Sequence, residues 1–570
     1  MRSEHAERPA APLLLAHLSG THAQMGAQLG AMTRAAGDWE PVLAYYPRMA
    51  EILLVGSSPK GRLAVRPFIE AWCARLERDR PQALRDRTRA FLSALGLRPE
   101  LSRYFSIMDV FQNVVNLAGR YELGPFAKRL AEQAPAACST LVAWGAASEG
   151  GALRHARNFD FPGLGIWDKR PSVVFCSPTE GLRYGFVGVR GGDVPCVSAF
   201  NEAGITLTTH TRFHREARWS GAGIVDLSHE VVQHARTLAE AEAIIRRRPI
   251  ASTWGLCVSS AQERRAASFE VHGGAVHRVD PEAGRDHLAV TNRYVHPKMK
   301  EGEVTISPAF VRNSDGRWCA LCHKVAQGQP LDVHALQALL GSHADAEQPG
   351  LERPAGGVTA QVLTVHSVVV EPERQAVHVS LGPAPTSLGP WVEVPWRWQD
   401  GPALKVERFE PQALTTHDQG RFGRGAPAQG LARFLEASAI AGQGGDPREA
   451  QARLMDAVRT DPQETTYRLL AGGAFLQAGD PREALLHFRE ALAHERSPFY
   501  RGQLLLWASR AAHAAHQHDD AARWRKELSA LDHPNLDELR ASARHEAHAP
   551  LDAAKLKRLR LNYHLAELHL

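Results

Sequence analysis

At 570 residues the chain is long enough for more than one domain, and 44% apolar with 23% charged residues is an ordinary globular composition. The formal charge of +5 is small for this length and arginine is scattered, which argues against nucleic acid as a partner. Seven cysteines, an odd number without framework spacing, point to a reducing compartment, and no run of about 18 apolar residues offers a membrane span. The apolar run Ala10-Ala-Pro-Leu-Leu-Leu-Ala-His17 is short, broken by proline and preceded by acidic residues, unlike a signal peptide. The expectation is a cytoplasmic protein.

Residues 12–135 read as mostly helical. Residues 13–18 suit a short strand, and Ser19-Gly-Thr-His22 offers an N-cap to a helix over 23–32. Amphipathic stretches follow at 67–78, 83–95, 99–117 and 125–132, and Pro135 breaks the pattern just before Cys138. From there β-type runs recur at 140–144, 153–159, 172–176, 183–189, 197–200 and 205–211. More lie at 254–259, 267–271, 288–291, 362–371 and 376–381, with helices at 224–246 and 316–326. This order predicts sheets covered by helices, an α+β plan.

Residues 399–426 lack periodicity and read as a linker. Beyond them Gly445-Asp-Pro-Arg-Glu-Ala450 recurs 34 positions on as Gly479-Asp-Pro-Arg-Glu-Ala484, with a looser copy at His518-Asp-Asp-Ala-Ala522. That period resembles tetratricopeptide repeats, which stack because one helix pair cannot bury its apolar face alone. Leu556, Leu559, Tyr563 and Leu570 form a stripe that predicts an amphipathic capping helix over 551–570.

Cys138 heads a strand after the helix break. Ser148-Glu-Gly-Gly151 is turn chemistry, and the return strand carries Arg157 and Asp160. A thiol beside a cation and a carboxylate is the arrangement of a nucleophile, since the neighbours set its pKa and orientation. Asn158 reads as structural. Cys319-Ala-Leu-Cys322-His323 matches a haem-attachment pattern but reads as core cysteines on one helix. Although the chain holds 28 histidines, no metal-ligand spacing emerges, and His210 and His214 fall in a strand-to-loop region. No cofactor and no metal are called for.

The Cys138-Ser-Thr-Leu-Val-Ala-Trp-Gly block with Arg157-Asn-Phe-Asp160-Phe161 resembles the isopenicillin N acyltransferase family and, more distantly, choloylglycine hydrolases, penicillin V acylase and acid ceramidase. Further matches are Gly20-Thr-His-Ala-Gln-Met-Gly26, Asn201-Glu-Ala-Gly-Ile205, Thr291-Asn292, Asn313-Ser-Asp-Gly-Arg317 and Thr364-Val-His-Ser-Val-Val369. The resemblance implies an αββα N-terminal-nucleophile core over 138–398, after a helical pro-segment at 1–137 and before the linker and the repeats at 427–570. It also implies self-cleavage between Ala137 and Cys138, which frees the Cys138 amine as the local base.

In that scheme Asn292 donates to the oxyanion, Asp160 holds the amine, Arg157 tunes the thiolate and Arg317 supports the site. Thr211, preceded by His210, stands where a choloylglycine-type second asparagine would donate, and Ala137 stands where the acyltransferases usually carry glycine. The implied activity is Cys-dependent acyl transfer: hydrolysis of a linear amide, or transfer from a thioester to an amine, through an acyl-Cys138 intermediate. The substrate is a small N-acyl or acyl-thioester compound, with a protein partner expected on the repeats and neither nucleic acid nor membrane. The alternative is a catalytically vestigial scaffold that works through its repeats.

Overall fold

A computed structural model describes residues 10–45, 47, 59–121, 137–305, 307–410, 417 and 419–570. The helix expected over 125–132 lies outside the described residues. The strands are β1 (Leu13–Gly20), β2 (Ala137–Gly145), β3 (Gly151–Asp160), β4 (Pro171–Pro178), β5 (Tyr184–Val189), β6 (Ser198–Asn201), β7 (Ile205–Thr211), β8 (Trp254–Ser260) and β9 (Arg265–His272). There follow β10 (Ala275–Val279), β11 (His287–Val290), β12 (Thr364–Glu371), β13 (Ala376–Ser380), β14 (Trp391–Pro395), β15 (Ala403–Glu407), β16 (Arg560–Asn562) and β17 (Glu567–His569).

Two large sheets form. The nine-stranded sheet has the order β10-β9-β8-β7-β6-β5-β4-β1-β15, and the six-stranded sheet β11-β2-β3-β12-β13-β14. Side-chain alternation decides what each face meets. Along β2, Leu141 and Ala143 pack on helices with Leu321, Leu336 and Leu340, while Val142 and Trp144 face Cys257 and Ala266 of the other sheet. Val173, Val187 and Phe200 likewise meet Val368, Val370 and Val377 between the sheets. The far face of the nine-stranded sheet buries Val174, Phe186 and Leu207 under helices His22–Ala36, Gln82–Ala94, Ile224–His234 and Leu238–Arg246. The layers therefore run helices, sheet, sheet, helices.

The strand expected over 13–18 forms as β1 and lies inside the nine-stranded sheet, parallel to β4 and antiparallel to β15. Other expectations change. The stretch read as a linker supplies that β15, because Leu404 and Val406 continue a strand alternation too short to stand out from the sequence. The helix expected over 224–246 breaks where Thr237 caps a second helix by accepting from the Glu240 amide.

The C-terminal region is helical. Asp446 and Asp480 cap Pro447–Thr460 and Pro481–His494, each with proline in the first turn, and Gly479 takes the left-handed φ of +87° that ends Thr465–Ala478. Residues 551–570 are not one helix. Asn562 Oδ1 accepts from the Leu565 amide at 2.9 Å and turns the chain, so β16 and β17 form a hairpin after the short helix Ala553–Leu556. Among the described residues no helix is long and apolar enough to cross a membrane.

Candidate active site

The β2–β3 hairpin puts Cys138 opposite Phe159, Thr140 opposite Arg157 and Ala137 opposite Asp160. Cys138 and Arg157 are thus diagonal neighbours on the face toward the nine-stranded sheet. Arg157 Nη2 donates to Cys138 Sγ at 3.4 Å. Both side chains are buried. Burial pushes the Cys138 thiol up, and the Arg157 charge opposes that rise. Arg157 is itself held below the ordinary arginine range by burial, and its Nε and Nη1 have no hydrogen-bond partner among the described residues. A buried cation without an anion is costly, and a thiolate is the anion within reach.

Asp160 accepts from Thr364 Oγ1 at 2.6 Å through Oδ1, while Oδ2 has no partner among the described residues. Burial pushes this carboxyl up to about 7, against the pull of Arg317, the Thr364 hydroxyl and Arg157.

Asn292 follows β11 and reaches Cys138 from the edge of the same sheet. Its Oδ1 accepts from the Cys138 amide at 2.7 Å and from Arg317 Nη2 at 3.0 Å. Its Nδ2 donates to the Thr211 carbonyl at 3.0 Å. In this structure Asn292 therefore holds the Cys138 nitrogen through its oxygen, and its amide nitrogen is engaged by the Thr211 carbonyl.

Arg317 lies inside helix Pro308–Ala326, which begins eight residues earlier than the sequence suggests because Ser307 caps it and Pro308 opens it. Arg317 Nη1 donates to the Cys138 carbonyl at 2.6 Å and to Ser139 Oγ at 3.1 Å. Its Nε donates to Asn313 Oδ1 at 3.0 Å, one turn back. All these acceptors are neutral.

Cys138, Arg157, Asp160, Asn292 and Arg317 are thus brought together. The two expected alternatives for a second donor part company, because consecutive residues on β7 face opposite ways. Thr211 lines an apolar cavity. The His210 ring points between the sheets to Thr140 Oγ1 at 3.0 Å and continues through Thr208 and His155 to Ser259. Burial holds His210 well below its ordinary range and lowers His155 to about 3, so both rings are neutral. Sequence reasoning missed Asn313 and Thr364 as partners of Arg317 and Asp160; the four-residue spacing of Asn313 and Arg317 was the available signal.

The cavity, of about 270 Å³, is walled by Leu101, Phe105 and Met108 from the N-terminal segment, by Phe159 on β3 and by Phe161 and Trp167 just beyond it. Phe159 and Thr211 bring it to the Cys138 cluster. Cys319 and Cys322 are free and only half-buried, one turn apart on helix Pro308–Ala326, instead of core residues. Among the described residues no group of three His, Cys, Asp or Glu is placed to hold a metal.

No protein-family model matches the chain, and no curated protein matches it either. Among solved structures the chain is similar to a Caenorhabditis elegans N-acylethanolamine-hydrolyzing acid amidase ortholog, at 14% identity, over 41% of this chain and 93% of that one, with a TM-score of 0.29.

Proposed function

We propose that this protein is a cysteine amide hydrolase or acyltransferase of the N-terminal-nucleophile type, activated by cutting its own Ala137–Cys138 bond. The observation that carries the reading is the treatment of Cys138: its amide nitrogen sits on Asn292 Oδ1 at 2.7 Å and its sulfur on Arg157 at 3.4 Å. A strand cysteine that only filled the core would need neither contact.

Activation begins as the Cys138 sulfur, losing its proton, attacks the Ala137 carbonyl. The C–N bond breaks, the nitrogen takes a proton, and a thioester links Ala137 to Sγ. Water then cleaves the thioester, leaving a carboxylate on Ala137 and a free amine and thiol on Cys138. The amine replaces the missing imidazole as base, because His210 is occupied by Thr140. Asn292 Oδ1 and the unpartnered Asp160 Oδ2 are the acceptors that suit an ammonium.

In turnover the thiol proton passes to that amine as Sγ attacks the substrate carbonyl. The amine returns the proton to the leaving nitrogen, and an acyl-Cys138 thioester remains. Water or an amine then takes the acyl group. Arg157 counters charge on sulfur. The cavity beside Thr211 and Phe159 takes the acyl chain and favours an apolar one.

Intact mass of the purified protein, with alkylation of Cys138 and turnover of N-acyl amides, tests this reading. The expected result is two chains divided before Cys138, and labelling and turnover that vanish in Cys138→Ser. A full-length chain with no selective labelling refutes it and supports the scaffold alternative.

A further inference from the structure

The C-terminal helices grip one loop of the layered core. That loop, residues 353–361, passes between helix Pro308–Ala326 and the repeats. On its outer side the Gly357 amide donates to the Tyr500 hydroxyl at 3.0 Å, and the Gly356 amide donates to the His564 carbonyl at 3.3 Å. Arg353 stacks its guanidinium 4.0 Å from the Tyr500 ring centre and pairs with Glu495 at 2.5 and 2.9 Å. Gly356 has φ +92°, and a Cβ there would collide with the Tyr500 hydroxyl. The loop is therefore shaped against helix Pro498–Ala514.

On its inner side the same loop reaches the catalytic cluster. Asn313 Nδ2 donates to the Gly356 carbonyl at 2.6 Å and to Gln361 Oε1 at 2.8 Å. These bonds fix the Asn313 amide so that its oxygen accepts from Arg317 Nε. Arg317 then spends its remaining donors on the Cys138 carbonyl, Ser139 and Asn292. A guanidinium is a rigid planar fork, so moving its Nε acceptor tilts both Nη groups. All of these residues are buried.

We propose that the helical repeats act as a clamp on the nucleophile: Tyr500 and the β16–β17 hairpin hold residues 356–357, these orient Asn313, and Asn313 fixes Arg317 on the Cys138 backbone. The inference rests on the reading of Cys138 as nucleophile. It makes Tyr500 and Asn313 positioning residues and gives the repeats a role inside the enzyme, distinct from partner docking. The field of Arg317 also reaches the hairpin, where burial and that charge lower His564 to about 3.

The experiment uses full-length protein with Tyr500→Phe, Asn313→Ser and the double variant. Tyr500→Phe removes one hydroxyl and keeps the ring on Arg353. Readouts are kcat and KM for an N-decanoyl-4-nitroanilide probe and the pH midpoint of Cys138 alkylation by iodoacetamide. Tyr500→Phe is expected to lower kcat by about 10-fold, since small displacements of positioned groups are costly. KM should stay within about twofold and the alkylation midpoint should move. The double variant should lose no more than Asn313→Ser alone, because both act through Arg317.

Wild-type kcat and midpoint in Tyr500→Phe, or additive losses in the double variant, overturn the clamp. Should Tyr500→Phe not fold, Glu495→Gln, which weakens the Arg353 side of the same grip, is judged by the same criteria. Wild-type protein that neither cleaves nor turns over refutes the Cys138 reading itself. A working wild type with an unaffected Tyr500→Phe refutes only the clamp.

Discussion

The charge state of Asp160 gives the most quantitative prediction. Its carboxyl is buried, holds one bond from Thr364 and is pushed from 3.8 to about 7 by burial. A carboxyl raised on folding stabilises the fold fully below its unfolded pKa and loses that contribution as pH rises through its folded pKa. The window is therefore pH 3.8 to about 7. Across it the full loss is on the order of 4 kcal/mol, at about 1.4 kcal/mol for each pH step.

The perturbation is Asp160→Asn in an uncleavable Cys138→Ala background. Asparagine keeps an acceptor for Thr364 and removes the ionisation. Urea unfolding of parent and variant should give similar stabilities near pH 4 and a growing advantage for Asp160→Asn that levels off above pH 7, up to the order of 4 kcal/mol. In self-cleaved protein the new ammonium should pull the Asp160 carboxyl down and erase most of this dependence. Curves that run parallel from pH 4 to 9 in the uncleaved pair would falsify the assignment of Asp160 as an unpaired buried carboxyl.

Removing the Arg157 charge by Arg157→Gln should push the Cys138 thiol further up, so alkylation at pH 8 should slow by about 10-fold or more; an unchanged rate–pH profile refutes its role. Val225 also lines the apolar cavity, so Val225→Trp should fill part of it and cut kcat/KM for a decanoyl amide by at least about 10-fold relative to a butanoyl amide, since each buried methylene contributes about 0.8 kcal/mol. Equal losses for both chains would place the acyl group elsewhere. Gly26 crosses helix Gln82–Ala94 so closely that a Cβ would collide with the Arg87 carbonyl. Gly26→Ala should therefore cost about 1–3 kcal/mol, seen as a lowered Tm, and an unshifted Tm contradicts the packing.

The hairpin that carries Cys138, Arg157 and Asp160 was legible because turn chemistry and alternation are local signals, and β2 and β3 fall where they predict. The approach of Asn292 and Arg317 was not local: 25 and 179 residues separate Arg317 from Asn292 and Cys138, and only the resemblance named them together. Helix Pro308–Ala326 begins before the expected start at Gly316, because Ser307 and Pro308 already cap and open it. That error hid the Asn313–Arg317 pair. At the C-terminus the leucine stripe suggested a helix, but Asn562 reverses the chain and the hairpin buries Leu568 against Gly473. β15 was illegible for another reason: a five-residue edge strand is defined by its partner β1, far away in sequence.

The charges around Cys138 show why such a site is built inside the protein and not on its surface. Arg157 and Arg317 are both buried, and among the described residues neither hydrogen-bonds to a carboxylate: one meets a thiol, the other only neutral oxygens. Asp160, the nearby acid, is pushed toward its neutral form. The resting cluster is therefore short of negative charge. In the proposed reaction negative charge appears first on sulfur and then on the attacked carbonyl oxygen. Cations held in place before that moment need no reorganisation when it arrives, and in a dry environment they act far more strongly than in water. The cost of keeping them unpaired falls on folding. In the proposed clamp the hold on Arg317 runs out through Asn313 to Tyr500 and Glu495, so that cost would be shared with the C-terminal helices, and a core of two sheets and their helices would not bear it alone.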